Sequence, residues 1–125
     1  MKKIPRISEA EWEVMKVVWA RGSCTAGEIV AALLSAEPGR HHKTIKTYLS
    51  RLTAKRALGY RKEGRGYLYR PLVTESECVK AASESFLERV FGGAIKPMLA
   101  HFVEHKKLSA AEIQELKQLL DKKEA

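Results

Sequence analysis

One short grammar occurs four times along this chain. Ile7-Ser8-Glu9-Ala10-Glu11-Trp12 is a hydrophobic residue, a hydroxyl, an acid three positions on, and a hydrophobic residue next. Cys24-Thr25-Ala26-Gly27-Glu28-Ile29, Val73-Thr74-Glu75-Ser76-Glu77-Cys78 and Leu108-Ser109-Ala110-Ala111-Glu112-Ile113 repeat it. The first backbone N–H groups of a helix have no partner inside the helix. A capping hydroxyl accepts from one of them, and the acid three residues on accepts from the N–H of the cap. The pattern therefore marks helix starts near residues 8, 25, 74 and 109. A chain punctuated in this way is mainly α.

Hydrophobic spacing fills in the rest. The first helix runs to about residue 20 and turns Trp12, Met15, Val18 and Trp19 inward; Arg21-Gly22-Ser23 ends it. The second covers about 26–35 with Ile29, Ala32 and Leu33 inward, and Glu37-Pro38-Gly39 breaks the chain. A third helix, without a capping box, is expected over about 42–56 on the spacing of Ile45, Leu49 and Leu52. Then the period changes. Leu58-Gly59-Tyr60-Arg61-Lys62 and Tyr67-Leu68-Tyr69-Arg70-Pro71 flank Glu63-Gly64-Arg65-Gly66, a β-hairpin with a glycine turn. Helices return over about 74–91, 94–105 and 110–122, with Pro97 tolerated in a first turn.

Charge is concentrated in the middle. The whole chain carries +8, yet residues 1–39 are neutral and residues 71–125 carry −1. Residues 40–70 hold ten cations, among them Arg40, Lys55 and Arg56, against the single acid Glu63. An ordinary solvated helix mixes signs. The exposed side of HHKTIKTYLSRL does not: it offers Lys43, Thr44, Lys46, Thr47, Ser50 and Arg51. Clustered positive charge raises the local concentration of a polyanion.

Three helices followed by a basic hairpin make a winged helix-turn-helix, in which the third helix enters the major groove of DNA. Lys43, Thr47, Ser50 and Arg51 are placed to reach base edges or flanking phosphates, with Arg suited to guanine and a threonine methyl to thymine. Arg61, Lys62 and Arg65, near the hairpin tip, are expected to hold backbone. Tyr60, Tyr67 and Tyr69 fit sheet packing better than base stacking. His41 and His42 either touch phosphate or fill a loop.

The same residues carry a resemblance. ISEAEWEVMKVVW, KTIKTYLSRL and ALGYRKEGRGYLYRPLV, in this order, resemble the penicillinase-repressor family of the BlaI/MecI/CopY type, strongly over about residues 5–78 and loosely beyond. The resemblance implies a homodimeric transcriptional repressor on double-stranded operator DNA with dyad symmetry. It implies a winged-helix domain, residues 1–73, and a helical dimerisation domain, residues 74–125. In the tail the dimer-forming side chains are expected to be Val79, Phe86, Leu87, Val90, Phe91, Ile95, Met98, Leu99, Phe102, Val103, Ile113, Leu116, Leu119 and Leu120. In the β-lactam-responsive branch a membrane sensor protease is linked to cleavage at an Asn–Phe bond. The matching bond here joins His101 to Phe102, with histidine where that branch has asparagine. Arg56 stands where members usually carry glycine, at a position suited to a left-handed backbone.

Other classes are poorly served. No nucleophile–base pair, paired-carboxylate motif or phosphate loop points to an enzyme. Cys24 and Cys78, 54 positions apart, fit no metal or redox spacing and read as small buried thiols in a reducing compartment. The copper-sensing branch has a cysteine-rich tail, and no cysteine follows Cys78 here. His101 and His105 share a helical face, but two ligands make a poor metal site. No cofactor and no metal are expected. Lys2 and Lys3 are followed by no apolar signal stretch, and no run reaches membrane-span length, so a cytoplasmic location is expected. Two binding alternatives compete with operator recognition: a non-specific or architectural nucleic-acid module, and a protein-interaction adaptor.

Overall fold

Each of the four marked starts closes as a capping box. In the computed structural model, which describes residues 3–105 and 108–124, Ser8 Oγ accepts from the Glu11 N–H at 3.2 Å, and Glu11 Oε1 accepts from the Ser8 N–H at 2.9 Å. Helix α1, Glu9–Arg21, follows. Thr25 and Glu28 repeat the exchange at 3.2 and 2.8 Å before α2, Ala26–Ala36. Thr74 and Glu77 do so before α4, Glu75–Phe91. Ser109 and Glu112 do so before α6, Ala110–Glu124. Helix α3, His42–Ala54, begins without a side-chain cap, and α5 spans Ile95–Glu104.

The hairpin comprises β2, Leu58–Glu63, and β3, Gly66–Pro71, paired antiparallel with Tyr60 opposite Tyr69 and Glu63 opposite Gly66. Gly64 and Arg65 alone form the turn. Gly64 has φ +63° and Arg65 is not in the positive-φ region, the pattern of a type II′ turn. A third strand was not expected. Cys24–Thr25, here β1, pairs with β3 through Cys24 opposite Tyr69, giving the sheet order β1-β3-β2. Two residues are too few to show an alternating pattern, so local sequence could not announce this strand.

The chain forms two units, Met1–Ala82 and Ser83–Ala125, and the division falls inside α4. The first holds every buried apolar side chain among the described residues. Its centre is Val14, Met15 and Val18 of α1, Ile29 of α2, Ile45 and Leu52 of α3, and Leu58 of β2. The inward faces differ from expectation at three residues, Val14, Val30 and Ala32. Val14 joins the core of α1; Trp12 and Trp19 pack against that core as expected, partly buried, their rings edge to face at 5.4 Å. On α2, Val30 is buried and Ala32 only half-buried. Trp19 also makes a long-range polar link. Its indole N–H donates to the Val73 carbonyl at 2.9 Å, tying α1 to the segment before α4.

Both cysteines are buried, and burial pushes the Cys24 thiol above its usual range. The first unit is a winged helix: three helices, a small antiparallel sheet, and a hairpin that projects its basic turn. In the second unit no described side chain is buried. None of the helices is long and apolar enough to cross a membrane among the described residues.

Candidate nucleic-acid interface

Helix α3 divides cleanly into two faces. Ile45, Leu49 and Leu52 are buried, each at most 2% exposed. Lys43, Thr44, Lys46, Thr47, Ser50 and Arg51 are all exposed. None of their charges is paired among the described residues. Thr47 Oγ1 donates to the Lys43 carbonyl at 2.9 Å, so its hydroxyl proton is spent within the helix. The oxygen can then only accept, and the methyl is the group left for an apolar contact.

Two of the ten central cations are not available in this way. The Arg40 guanidinium bridges Glu13, at 2.7 Å, and Glu37. The Arg40 hydrogen bond and charge hold the Glu13 carboxyl below its usual range. Lys55 Nζ contacts Glu11 Oε1 at 2.7 Å and donates to the Arg6 carbonyl at 2.8 Å. Glu37 lies only three residues from Arg40, but Glu13 and Arg40, like Glu11 and Lys55, lie far apart in sequence, so those two links are not visible locally. They trim the basic ridge without neutralising it.

At the end of α3 the chain turns through Arg56, whose φ is +64°. The Arg56 N–H bonds to the Thr53 carbonyl at 3.1 Å and the Ala57 N–H to the Leu52 carbonyl at 2.9 Å. Those two bonds make a Schellman motif with arginine at the left-handed position, which usually falls to glycine. The turn delivers the chain into β2.

In the hairpin the pleat separates neighbours. Lys62 lies opposite Tyr67, on the face that carries Tyr60 and Tyr69. Arg61 lies opposite Leu68 on the other face and pairs loosely with Glu63 at 3.5 Å. So Arg61, Lys62 and Arg65 surround the tip but do not share one side of it. The tyrosines pack on one another, Tyr60 with Tyr67 at 5.2 Å and with Tyr69 at 6.2 Å. Tyr69 also packs against the core, while Tyr60 and Tyr67 stay about half exposed.

The remaining candidates fall on the tail. Val79, Phe86, Val90, Ile95, Val103, Leu119 and Leu120 are exposed large hydrophobics. Leu87, Phe91, Met98, Leu99, Phe102, Ile113 and Leu116 are half-buried. His101 and Phe102 lie inside α5, and the rings of His101 and His105 are 4.4 Å apart. No group of three metal-ligating side chains comes together among the described residues. His41 and His42 are exposed at the start of α3.

The model of the penicillinase repressor family matches residues 7–122, nearly the whole chain. The chain belongs to the penicillinase repressor family. It is 45% identical over 121 residues to the penicillinase repressor of Bacillus licheniformis, covering 97% of this chain and 94% of that one. It is 34% identical to the methicillin resistance regulatory protein MecI of Staphylococcus aureus, covering 97% and 98%. Among solved structures, monomeric BlaI of Bacillus licheniformis in complex with the blaP half-operator matches with a TM-score of 0.52 and 48% identity. That match covers 62% of this chain and 93% of the other. The family resemblance carried by the three sequence blocks is thus correct.

Proposed function

We propose that this member of the penicillinase repressor family is a sequence-specific transcriptional repressor that binds duplex operator DNA as a cytoplasmic homodimer. It is not an enzyme; its family consists of DNA-binding repressors. The observation that carries the reading is the exposed face of α3, its charges unpaired among the described residues, backed by a buried apolar face that fixes its orientation. Lys43, Thr44, Lys46, Thr47, Ser50 and Arg51 supply the groove contacts. Lys62 and Arg65, with Arg61 on the opposite face, hold flanking backbone. Phosphate contacts supply most of the affinity and set the register, while base edges supply the choice of sequence.

The second unit supports pairing of two copies. Leu119 and Leu120 are more than half exposed, and no described side chain of residues 83–125 is buried. Helices with apolar faces and no core of their own gain by burying those faces against a twin. Two winged helices then present two copies of α3 to the halves of a near-palindromic site. Family membership favours an operon responding to β-lactams, with a membrane sensor protease as the upstream partner.

Selection of bound duplexes from a random library tests the reading. A recovered motif with dyad symmetry is the expected result. Recovery of no motif, with equal affinity for all duplexes at fixed salt, would favour the architectural alternative. Sedimentation of the chain and of a Leu119→Asp, Leu120→Asp variant tests the pairing. The wild type should sediment as a dimer and the variant as a monomer with weakened operator binding. A wild-type monomer at micromolar concentration would remove the dimer from the proposal.

A further inference from the structure

The Lys55 ammonium lies in the basic ridge, yet it points inward. It is 2.7 Å from Glu11 Oε1 and 2.8 Å from the Arg6 carbonyl oxygen. Glu11 is only 2% exposed, and the same Oε1 accepts from the Ser8 N–H at 2.9 Å. One carboxylate oxygen thus joins the cap of α1 to the residue that caps the C-terminal end of α3. The Arg6 carbonyl adds the chain before α1 to the same knot.

We propose that Glu11 and Lys55 are positioning residues for operator recognition, a part-buried clip that sets the axial register of α3 against α1. The inference rests on the reading of α3 as the helix that enters the groove. The apolar contacts of Ile45, Leu49 and Leu52 hold α3 to the core, but hydrophobic attraction has little directionality. It resists separation far more than a small slide or rotation about the helix axis. A charged hydrogen bond at the end of the helix is directional and short, so it selects one register. Base edges must be met to a fraction of an ångström, whereas a flexible lysine follows a phosphate through a larger shift. The clip therefore governs discrimination between sequences more than general affinity for DNA.

This role is opposite to the simpler one, in which Lys55 is one more phosphate contact. Loss of a phosphate contact weakens all sequences alike and lowers the salt slope by about one. Loss of the clip should weaken only the selected operator and leave the slope on other duplexes as it was. Glu11 separates the two roles further. Removing its charge frees Lys55, which would leave or strengthen a phosphate contact but would loosen the clip.

The test uses the full chain, the operator selected by the wild type, and a scrambled duplex of equal length. Fluorescence anisotropy is measured over a salt series for the wild type, Lys55→Met, Lys55→Arg and Glu11→Gln. Measurements are made at a temperature where circular dichroism shows all four folded. In Lys55→Met the ratio of operator to scrambled affinity should fall about tenfold, with the scrambled affinity and its slope unchanged. Glu11→Gln, which keeps an acceptor oxygen but loses the charge, should lower the ratio by a smaller factor. Lys55→Arg, which restores the charge and the hydrogen bond, should recover most of it. Ratios within about twofold of wild type in both Lys55→Met and Glu11→Gln would overturn the clip, as would a parallel loss on both duplexes. A wild type that shows no preference for any duplex would instead overturn the operator reading itself.

Discussion

The Ala57 N–H donates to the Leu52 carbonyl across the end of α3 at 2.9 Å, and Arg56 between them sits at φ +64°. A left-handed conformation crowds the Cβ of any residue but glycine. The fold accepts that strain because the turn must lead from α3 directly into β2. Arg56→Gly should therefore stabilise the chain, by about 0.5–1 kcal/mol once the greater freedom of glycine in the unfolded state is counted. Urea denaturation measures it. A midpoint below that of the wild type would mean that the arginine side chain contributes more than its backbone costs.

Trp19 and Val73 are 54 positions apart and joined by one hydrogen bond. Trp19→Phe keeps an aromatic ring beside Trp12 but leaves the Val73 carbonyl without its indole donor. Val73 is buried, so the loss should cost about 1–3 kcal/mol in thermal or urea unfolding. A change under about 0.5 kcal/mol would show that water replaces the indole at that carbonyl.

Arg51 and Lys62 should differ in kind. Arg51 lies on the groove face of α3, and its replacement by alanine should cost about 1–3 kcal/mol on the selected operator and relax choice at one position. Lys62 lies on the hairpin, beside Tyr67 in the register. Its replacement should weaken binding to all duplexes and lower the salt slope by about one. Competition titrations at several salt concentrations read both effects. An unchanged slope in Lys62→Ala together with unchanged base choice in Arg51→Ala would contradict the placement of both.

Acid should loosen the winged-helix unit. Burial pushes the Glu11 carboxyl up, but the hydrogen bonds from Lys55 and Ser8 and the Lys55 charge more than offset it, and the net shift is downward. Hydrogen bonds from the Thr25 cap lower Glu28, and the hydrogen bond and charge of Arg40 lower Glu13. A carboxyl lowered in the folded state gives stability that is complete above its ordinary value of 4.5. That stability is lost as the pH falls through the lower, folded value. Melting temperature should hold from neutrality to about pH 5 and then decline towards pH 3. Glu11→Gln should start lower and decline less. A wild-type melting temperature that rises between pH 5 and pH 3 would mean that these carboxylates do not stabilise the fold.

What local sequence reveals here is what short range controls. A capping box joins residues three apart, so four of them could be read from their spelling, and all four are closed. The buried stripe of α3 follows from helical period alone, and the glycine turn sets the hairpin register. The groove face is legible for the same reason, since it is the complement of that stripe. What neighbouring residues alone do not show lies where distance or pleat decides. Ala32 has the right spacing for the core yet stays half-buried, and Val14 is fully buried. Arg61 and Lys62 are adjacent letters on opposite faces.

The amino-acid order by itself therefore determined the helix starts, the apolar stripes, the hairpin and the central band of positive charge, because each depends on neighbours within a few residues. Only the tertiary structure decided which of those charges stay available. Glu11 meets Lys55 across 44 positions, and Arg40, on the segment before α3, meets Glu13 of α1 across 27. A short-range pattern can place a cation on a surface, but whether an acid arrives beside it is settled by how the helices pack.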